Sequence, residues 1–230
     1  MKRKLYSVYQ PIIDIRTEKV FGYEALTRGM GKWRSPEILF RHSYDEGTTV
    51  ALDLACLESA FGILPTLEKG ELLFVNVEPL TLASVFMKGK EGSFLLRKVA
   101  PYARRIVFEL TEGMKGRDFK FVKKGAGFLK KSGCQFALDD VAGVGFKLFR
   151  LLSLKPHFMK IDIGLILGLH KSRAQQEMLR SLVVLGKKTH SLLIAEGIEQ
   201  VKDLDFVQQM GIFYVQGFYF GRPQKHLIKS

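Results

Sequence analysis

The feature of this sequence that most restricts its fold is an alternation. Short apolar runs at 20–26, 72–77, 105–110, 135–138, 157–161, 192–195 and 213–215 are separated by longer stretches whose apolar residues fall at helical spacing. That alternation predicts a parallel α/β fold. The helical stretches are 35–45, 49–66, 80–87, 93–103, 117–132, 145–153, 172–188 and 199–210, and Gly133 and Gly211 stand where helices at 117–132 and 199–210 should stop. Residues 6–15 and 19–28 flank a short polar turn, which predicts an antiparallel hairpin at the start. With no linker, low-complexity tract or solenoid repeat, residues 1–230 read as a single domain. About eight strands in a chain near the usual barrel length of about 250 residues favour a TIM-like βα barrel. A doubly wound open sheet is the alternative, but no Gly-x-Gly-x-x-Gly turn follows an early strand.

Composition removes several classes. Apolar residues at 47% and charged residues at 26% leave enough apolar surface to close a core, which excludes a disordered or collagen-like chain. The apolar runs are broken well before the roughly 18 residues of a membrane span, so no span is expected. Two cysteines, Cys56 and Cys134, cannot form a disulfide framework, and 6–15 lacks the apolar centre of a signal peptide, so a cytoplasmic setting is expected. The net charge of +13 raises the local concentration of anions such as nucleotides. Much of it lies at 115–131, where seven Lys or Arg accompany Phe119, Phe121, Val122 and Phe128. This stretch reads as the solvated face of an amphipathic helix; no zinc finger, helix-turn-helix or RNA-binding signature accompanies it, and no DNA partner is expected.

The regularity that points to chemistry is what ends each apolar run. Glu24 ends the first, then Asn76, Glu109, Asp139 with Asp140, Lys160 with Asp162, Glu196 and Gln216. In a βα barrel the strand ends converge on one face, so these groups would meet in one pocket. Asn76 and Glu109 are 33 residues apart, Glu109 and Asp139 30, and Lys160 and Glu196 36, each near the length of one βα unit. A single carboxylate after a strand is most often a helix N-cap or a solvated loop residue. Six carboxylates gathered without counterions would repel and hold their protons, so bound cations or strong pairing are required. Oxygen ligands without a His or Cys cluster point to magnesium, manganese or calcium. Asp139 and Asp140 could serve two cations, one carboxylate bridging, which suits phosphodiester hydrolysis by an activated water. Lys160 beside such a site could orient that water or offset charge on the phosphate.

With these residues in place, the sequence resembles the EAL family of cyclic di-GMP phosphodiesterases. Glu24-Ala25-Leu26 matches the family triplet. With it come YQPI at 9–12, NV at 76–77, ELTE at 109–112, DD at 139–140, LKP at 154–156, KID at 160–162, AEGIE at 195–199 and QGFYFGRP at 216–223, in the family's order. The resemblance implies a barrel whose first strand is antiparallel to the rest, and metal-dependent cleavage of one phosphodiester bond of cyclic di-GMP to give linear pGpG. It implies that Glu24, Asn76, Glu109 and Asp139 hold a first Mg²⁺ or Mn²⁺, and that Asp139 bridges to a second held also by Asp140. Lys160 and Glu196 would place and deprotonate the water, Gln216 would complete that shell, and Gln10, Leu26 and Arg28 look like substrate contacts. Glu112 resembles the glutamate that braces the loop after Asp140.

That loop departs from the family. Where members commonly have Phe-Gly-Thr-Gly-Tyr-Ser-Ser, this chain has Val141-Ala142-Gly143-Val144-Gly145-Phe146-Lys147. In the family the loop is thought to couple dimer contacts to the second cation, and a homodimer is expected here. The departure supports a second reading beside the hydrolase, a cyclic di-GMP receptor or interaction module without turnover. The first strand begins within a few residues of Met1, so no attached sensory domain is expected, and control is expected from expression, dimerisation or a separate partner.

Overall fold

The computed structural model describes residues 5–88, 90–110, 119–141 and 152–227, with backbone alone for those of 84–94. Eight strands close into a barrel in sequence order, which excludes the open sheet. β1 (Tyr6–Asp14) and β2 (Lys19–Arg28) form the predicted hairpin. β3 (Leu72–Asn76), β4 (Ile106–Leu110), β5 (Gln135–Val141), β6 (Phe158–Ile161), β7 (Leu192–Ala195) and β8 (Tyr214–Val215) follow β2 in parallel. β1 is antiparallel to both its neighbours, β2 and β8. The closing seam is short: Ile13 pairs with Val215 and Asp14 with Tyr214, and the Ile15 N–H donates to the Phe213 carbonyl at 3.0 Å just beyond them. Higher on β1, Tyr9 instead exchanges backbone hydrogen bonds of 2.7 and 3.0 Å with Gln224, so the chain beyond β8 seals the upper part of the gap.

Among the described residues the helices are α1 (Pro36–Asp45), α2 (Thr49–Phe61), α3 (Pro79–Lys88), α4 (Lys90–Val99), α5 (Phe119–Lys131), α6 (Ile163–Ile166), α7 (Arg173–Thr189) and α8 (Val201–Gln209). Two expected helices are cut short, each at a proline. The helix read over 49–66 ends at Phe61, and Pro65 lies in a separate 3₁₀ turn, Leu64–Thr66. The helix read over 93–103 gives way at Val99 to the 3₁₀ segment Ala100–Arg105, where Pro101 stands in the first turn. Proline lacks the backbone donor a helix interior needs and disfavours α geometry in the residue before it. Gly133 and Gly211 follow α5 and α8 with φ of 90° and 81°, the left-handed stops the sequence predicts. The helix expected over 145–153 lies, apart from its last residues, outside the described ones.

Side chains alternate along each strand, and the barrel therefore has two cores. Outward residues such as Tyr23, Leu73, Val75, Phe108, Phe136, Met159 and Ala195 pack under the helices. Inward residues Ile12, Leu72, Phe74, Val107, Ala137, Phe158 and Ile194, with Phe21 and Tyr214, fill the barrel itself. Residues 49–66 are long and apolar enough to cross a membrane, but in this fold Leu52, Leu57, Ala60 and Phe61 are buried in the barrel's outer layer. Both cysteines are buried free thiols.

Candidate functional site

One step above the inner apolar layer, the inward positions turn polar. Gln10 pairs with Glu24 across the β1–β2 ladder, so their side chains share a face. Asn76, Glu109, Asp139, Lys160, Glu196 and Gln216 each stand two residues beyond an inward position of β3 to β8. The floor is the inner core, where Phe21 meets Phe74, Phe158 and Tyr214 with ring centroids 6.3, 5.8 and 4.1 Å apart. That floor shuts the ring off from the far end of the barrel.

Lys160 is the hub. Its Nζ lies 2.7 Å from Glu196, 2.9 Å from Glu109, 3.1 Å from Asp139 and 3.3 Å from Glu24, and the side chain is 1% exposed. An ammonium has three donors and one charge, so four carboxylates exceed what it can satisfy or neutralise. Glu24 is the best compensated: Gln216 Nε2 donates to its Oε2 at 2.7 Å and Asn76 Nδ2 to its Oε1 at 3.4 Å. Gln216 Nε2 also donates to Gln10 Oε1 at 3.1 Å, and Gln10 Nε2 to the Gly221 carbonyl at 3.1 Å. Glu109 is fully buried; the Lys160 ammonium lies 2.9 Å from its Oε1, while its Oε2 has no hydrogen-bond partner among the described residues.

The electrostatics follow. Burial pushes Glu109 well above the usual carboxylate range; Lys160 opposes this, while Glu24 and Asp139 add to it. Burial likewise pushes Glu196 up to about 8, only partly offset by Lys160. Burial acts on Glu24 in the same sense, but the Lys160 charge and the donors on Gln216, Lys160 and Asn76 outweigh it and hold Glu24 below its ordinary value. For Lys160, burial favours the neutral amine, yet Asp139, Glu109, Glu196 and Glu24 together keep it charged.

Asp139 and Asp140 are adjacent on a strand, and regular alternation would send their side chains to opposite faces. The pairing register of β5 with β6 shifts between Leu138 and Val141, and Asp140 takes φ of 54°, a left-handed conformation that aspartate tolerates better than most residues. Oxygens of Asp139, Asp140 and Glu196 consequently lie within 4.8 Å of one another, a grouping that could hold a metal ion. The surplus of buried anionic oxygens over the one ammonium, with Glu109 Oε2 left without a partner among the described residues, fits hard divalent cations. The chain after Glu196 and Gln216 has no space for a side chain: a Cβ at Gly197 would strike Ile163, and one at Gly217 the Ile198 backbone.

Not every strand-end group joins the ring. Asp162 caps α6, accepting from the Gly164 N–H at 2.7 Å, which is the ordinary fate of a carboxylate after a strand. Arg28 lies further up β2 and donates to the Thr27 carbonyl at 2.9 Å. Leu26, Thr27, Phe40, Asp53, Asn76 and Glu78 line a cavity of about 360 Å³ beside the ring. Asp53 is absent from the strand-end pattern; it sits on α2, accepts from the Glu78 N–H at 3.0 Å, and is pushed up to about 7 by burial. The signal in the sequence is an acid set in the otherwise apolar stretch VALDLACL. Glu112 and the altered loop at 142–147 lie outside the described residues.

The EAL domain family model matches residues 1–223. The cyclic di-GMP phosphodiesterase PdeF of Escherichia coli is 25% identical over 94% of this chain and 29% of its own length. A standalone versatile EAL protein from Vibrio cholerae, solved with c-di-GMP bound, superposes with a TM-score of 0.85 at 25% identity, covering 100% of this chain and 96% of that one. Klebsiella pneumoniae BlrP1, solved with calcium and cy-diGMP, gives 0.85 at 25% identity over 98% of this chain and 57% of that one. The chain spans less than half the length of the first curated relatives it matches. It belongs to the EAL domain family.

Proposed function

We propose that this EAL family member is a metal-dependent phosphodiesterase that cleaves cyclic di-GMP to linear pGpG. The observation that carries the reading is the ring itself, four carboxylates on one buried lysine above a largely apolar, aromatic floor. Glu24, Asn76, Glu109 and Asp139 would hold one Mg²⁺ or Mn²⁺, and Asp139 with Asp140 a second. Bound there, the ions would supply an acidified water and neutralise charge on the phosphate. Glu196, whose pKa of about 8 suits proton exchange near neutrality, takes the proton from the attacking water. Lys160 holds Glu196 in place at 2.7 Å and offsets charge that develops on the phosphoryl oxygens. Gln216 fixes the Glu24 carboxylate, and Gln10 is held in turn by Gln216 and Gly221. Arg28 offers paired donors to a phosphate, and Leu26 an apolar wall to a base.

The test is incubation of the purified chain with cyclic di-GMP and either metal, followed by chromatography. The expected product is pGpG, absent in Glu24→Ala. Because the loop after Asp140 departs from the family sequence, the competing reading is a receptor; saturable nucleotide binding without pGpG under either metal would establish it instead. Lys147→Ser then asks whether the loop is the cause, with restored turnover as the sign that it is.

A further inference from the structure

A second surface on the molecule has no part in the chemistry above. Residues 95–105 and 119–134 carry nine Lys or Arg and no Asp or Glu. They fold next to each other on the barrel's flank, with Arg97 and Phe128 lining one shallow groove and the Arg104 side chain beside Gly133. Three of the nine are engaged: Lys98 with Glu58, Arg105 with the carbonyls of Glu68 and Glu71, and Lys130 with those of Leu154 and Lys155. The other six have no carboxylate within ion-pair distance among the described residues.

Among these cations two large apolar side chains face solvent. Phe121 is 45% exposed and Phe128 40%; seven residues apart, they lie two turns apart on one stripe of α5. Their outward aim is fixed from behind. Val122, Ala126 and Leu129 are buried, and Gly125 approaches α3 so closely that a Cβ there would collide with the Leu82 carbonyl. Lys120, Lys124 and Lys131 flank the stripe. The helix cannot turn to bury the phenylalanines without breaking that contact.

We propose that this α5 flank docks the protein on an anionic lipid bilayer, with Phe121 and Phe128 in the headgroup boundary and the surrounding lysines and arginines on the lipid phosphates. Exposed cations spread around two exposed rings suit a fluid surface whose headgroups rearrange to meet them. A single-stranded nucleic acid would call for successive aromatic platforms along one groove, whereas only Phe128 borders the groove here and Phe121 is not part of its lining. Because α5 runs along the barrel wall, docking in this way leaves the mouth open to substrate. The inference is independent of whether the ring turns over cyclic di-GMP.

Co-sedimentation of the full chain with phosphatidylcholine vesicles, with and without one-third phosphatidylglycerol, tests it. Binding is expected to the anionic vesicles only and to weaken as salt is raised. Phe121→Ala with Phe128→Ala should lower the affinity at least about tenfold while the salt dependence persists. Lys124→Ala with Lys131→Ala should lower it about tenfold or more and flatten the salt dependence. Lys187→Ala with Lys188→Ala, an exposed pair on α7, should change little. All six positions are exposed, and an unchanged melting midpoint checks each fold. The proposal is overturned if the wild type ignores the anionic vesicles, if the phenylalanine pair makes no difference, or if the α7 pair matters as much as the α5 pair. It is equally overturned if a single-stranded oligonucleotide is held more tightly than the vesicles and through the same residues.

Discussion

Two layers inside the same barrel, one step apart along every strand, differ as much as protein environments can. The lower is Ile12, Phe74, Val107, Ala137, Phe158, Ile194 and Tyr214; the upper is Gln10, Glu24, Glu109, Asp139, Lys160, Glu196 and Gln216. Roughly 7 Å separates them. The lower layer is held by burial and shape, and its one side-chain polar group, the Tyr214 hydroxyl, accepts from Arg16 at 3.0 Å. The upper is crowded with like charge, and its strain appears in the raised pKa values of Glu109 and Glu196. The apolar layer is what keeps water from relieving that strain, so the floor shapes the chemistry of the ring without touching substrate.

The contrast is most directly upset by removing the hub. Lys160→Ala should reduce turnover by at least about a thousandfold, and leave the metal-free chain about 3–5 kcal/mol less stable, because the carboxylates lose their one counter-charge. The deficit should be larger at about pH 9 than at about pH 5, where protonated carboxyls no longer need it; urea unfolding at both values measures this. In the floor, Phe158→Ala removes a ring from a packed cluster and should cost about 3–5 kcal/mol at either pH, since the change removes apolar contacts and no charge.

A smaller effect belongs to Asp53 at the edge of the ring. Its folded pKa of about 7 lies above the unfolded value of about 4, so the folded chain keeps a proton that the unfolded chain releases. Its contribution is therefore full below about pH 4, declines as pH rises from there, and is lost once pH passes about 7. Asp53→Asn keeps an acceptor for the Glu78 N–H and should flatten that part of the stability profile by an amount on the order of a few kcal/mol. Least of all, Lys98→Ala at the exposed pair with Glu58, 2.9 Å across, should change stability by less than about 1 kcal/mol and fade with salt. The same ion-pair distance thus has opposite weight inside and outside the barrel.

How far the sequence discloses this arrangement depends on what each residue ends. Glu24, Glu109, Lys160, Glu196 and Gln216 each terminate an inward-facing apolar run, and that position alone sends them to the common mouth. Asp162 obeys the same pattern two residues after Lys160 and caps a helix instead, because β6 has ended at Ile161 and strand alternation no longer sets the direction of the side chain. The bulge that turns Asp140 toward Asp139 has no glycine or proline to announce it. The aromatic floor is likewise hidden in the linear order: Phe21, Phe74, Phe158 and Tyr214 come from four strands, and only closure brings the rings together.

The brevity of β8 gives the wall an uneven strength. Between β1 and β8 two residue pairs and a further backbone bond from Ile15 N–H to the Phe213 carbonyl hold the cylinder shut, and the upper part of that gap depends on a returning tail clipped at Tyr9 and Gln224. Thermal breathing should begin at this stave. The Tyr9 and Gln224 amides are expected to exchange with deuterium ahead of those in β3 and β4. Gln10 and Gln216 flank that joint, so the pair that steadies Glu24 is also the pair loosened first when the cylinder gapes.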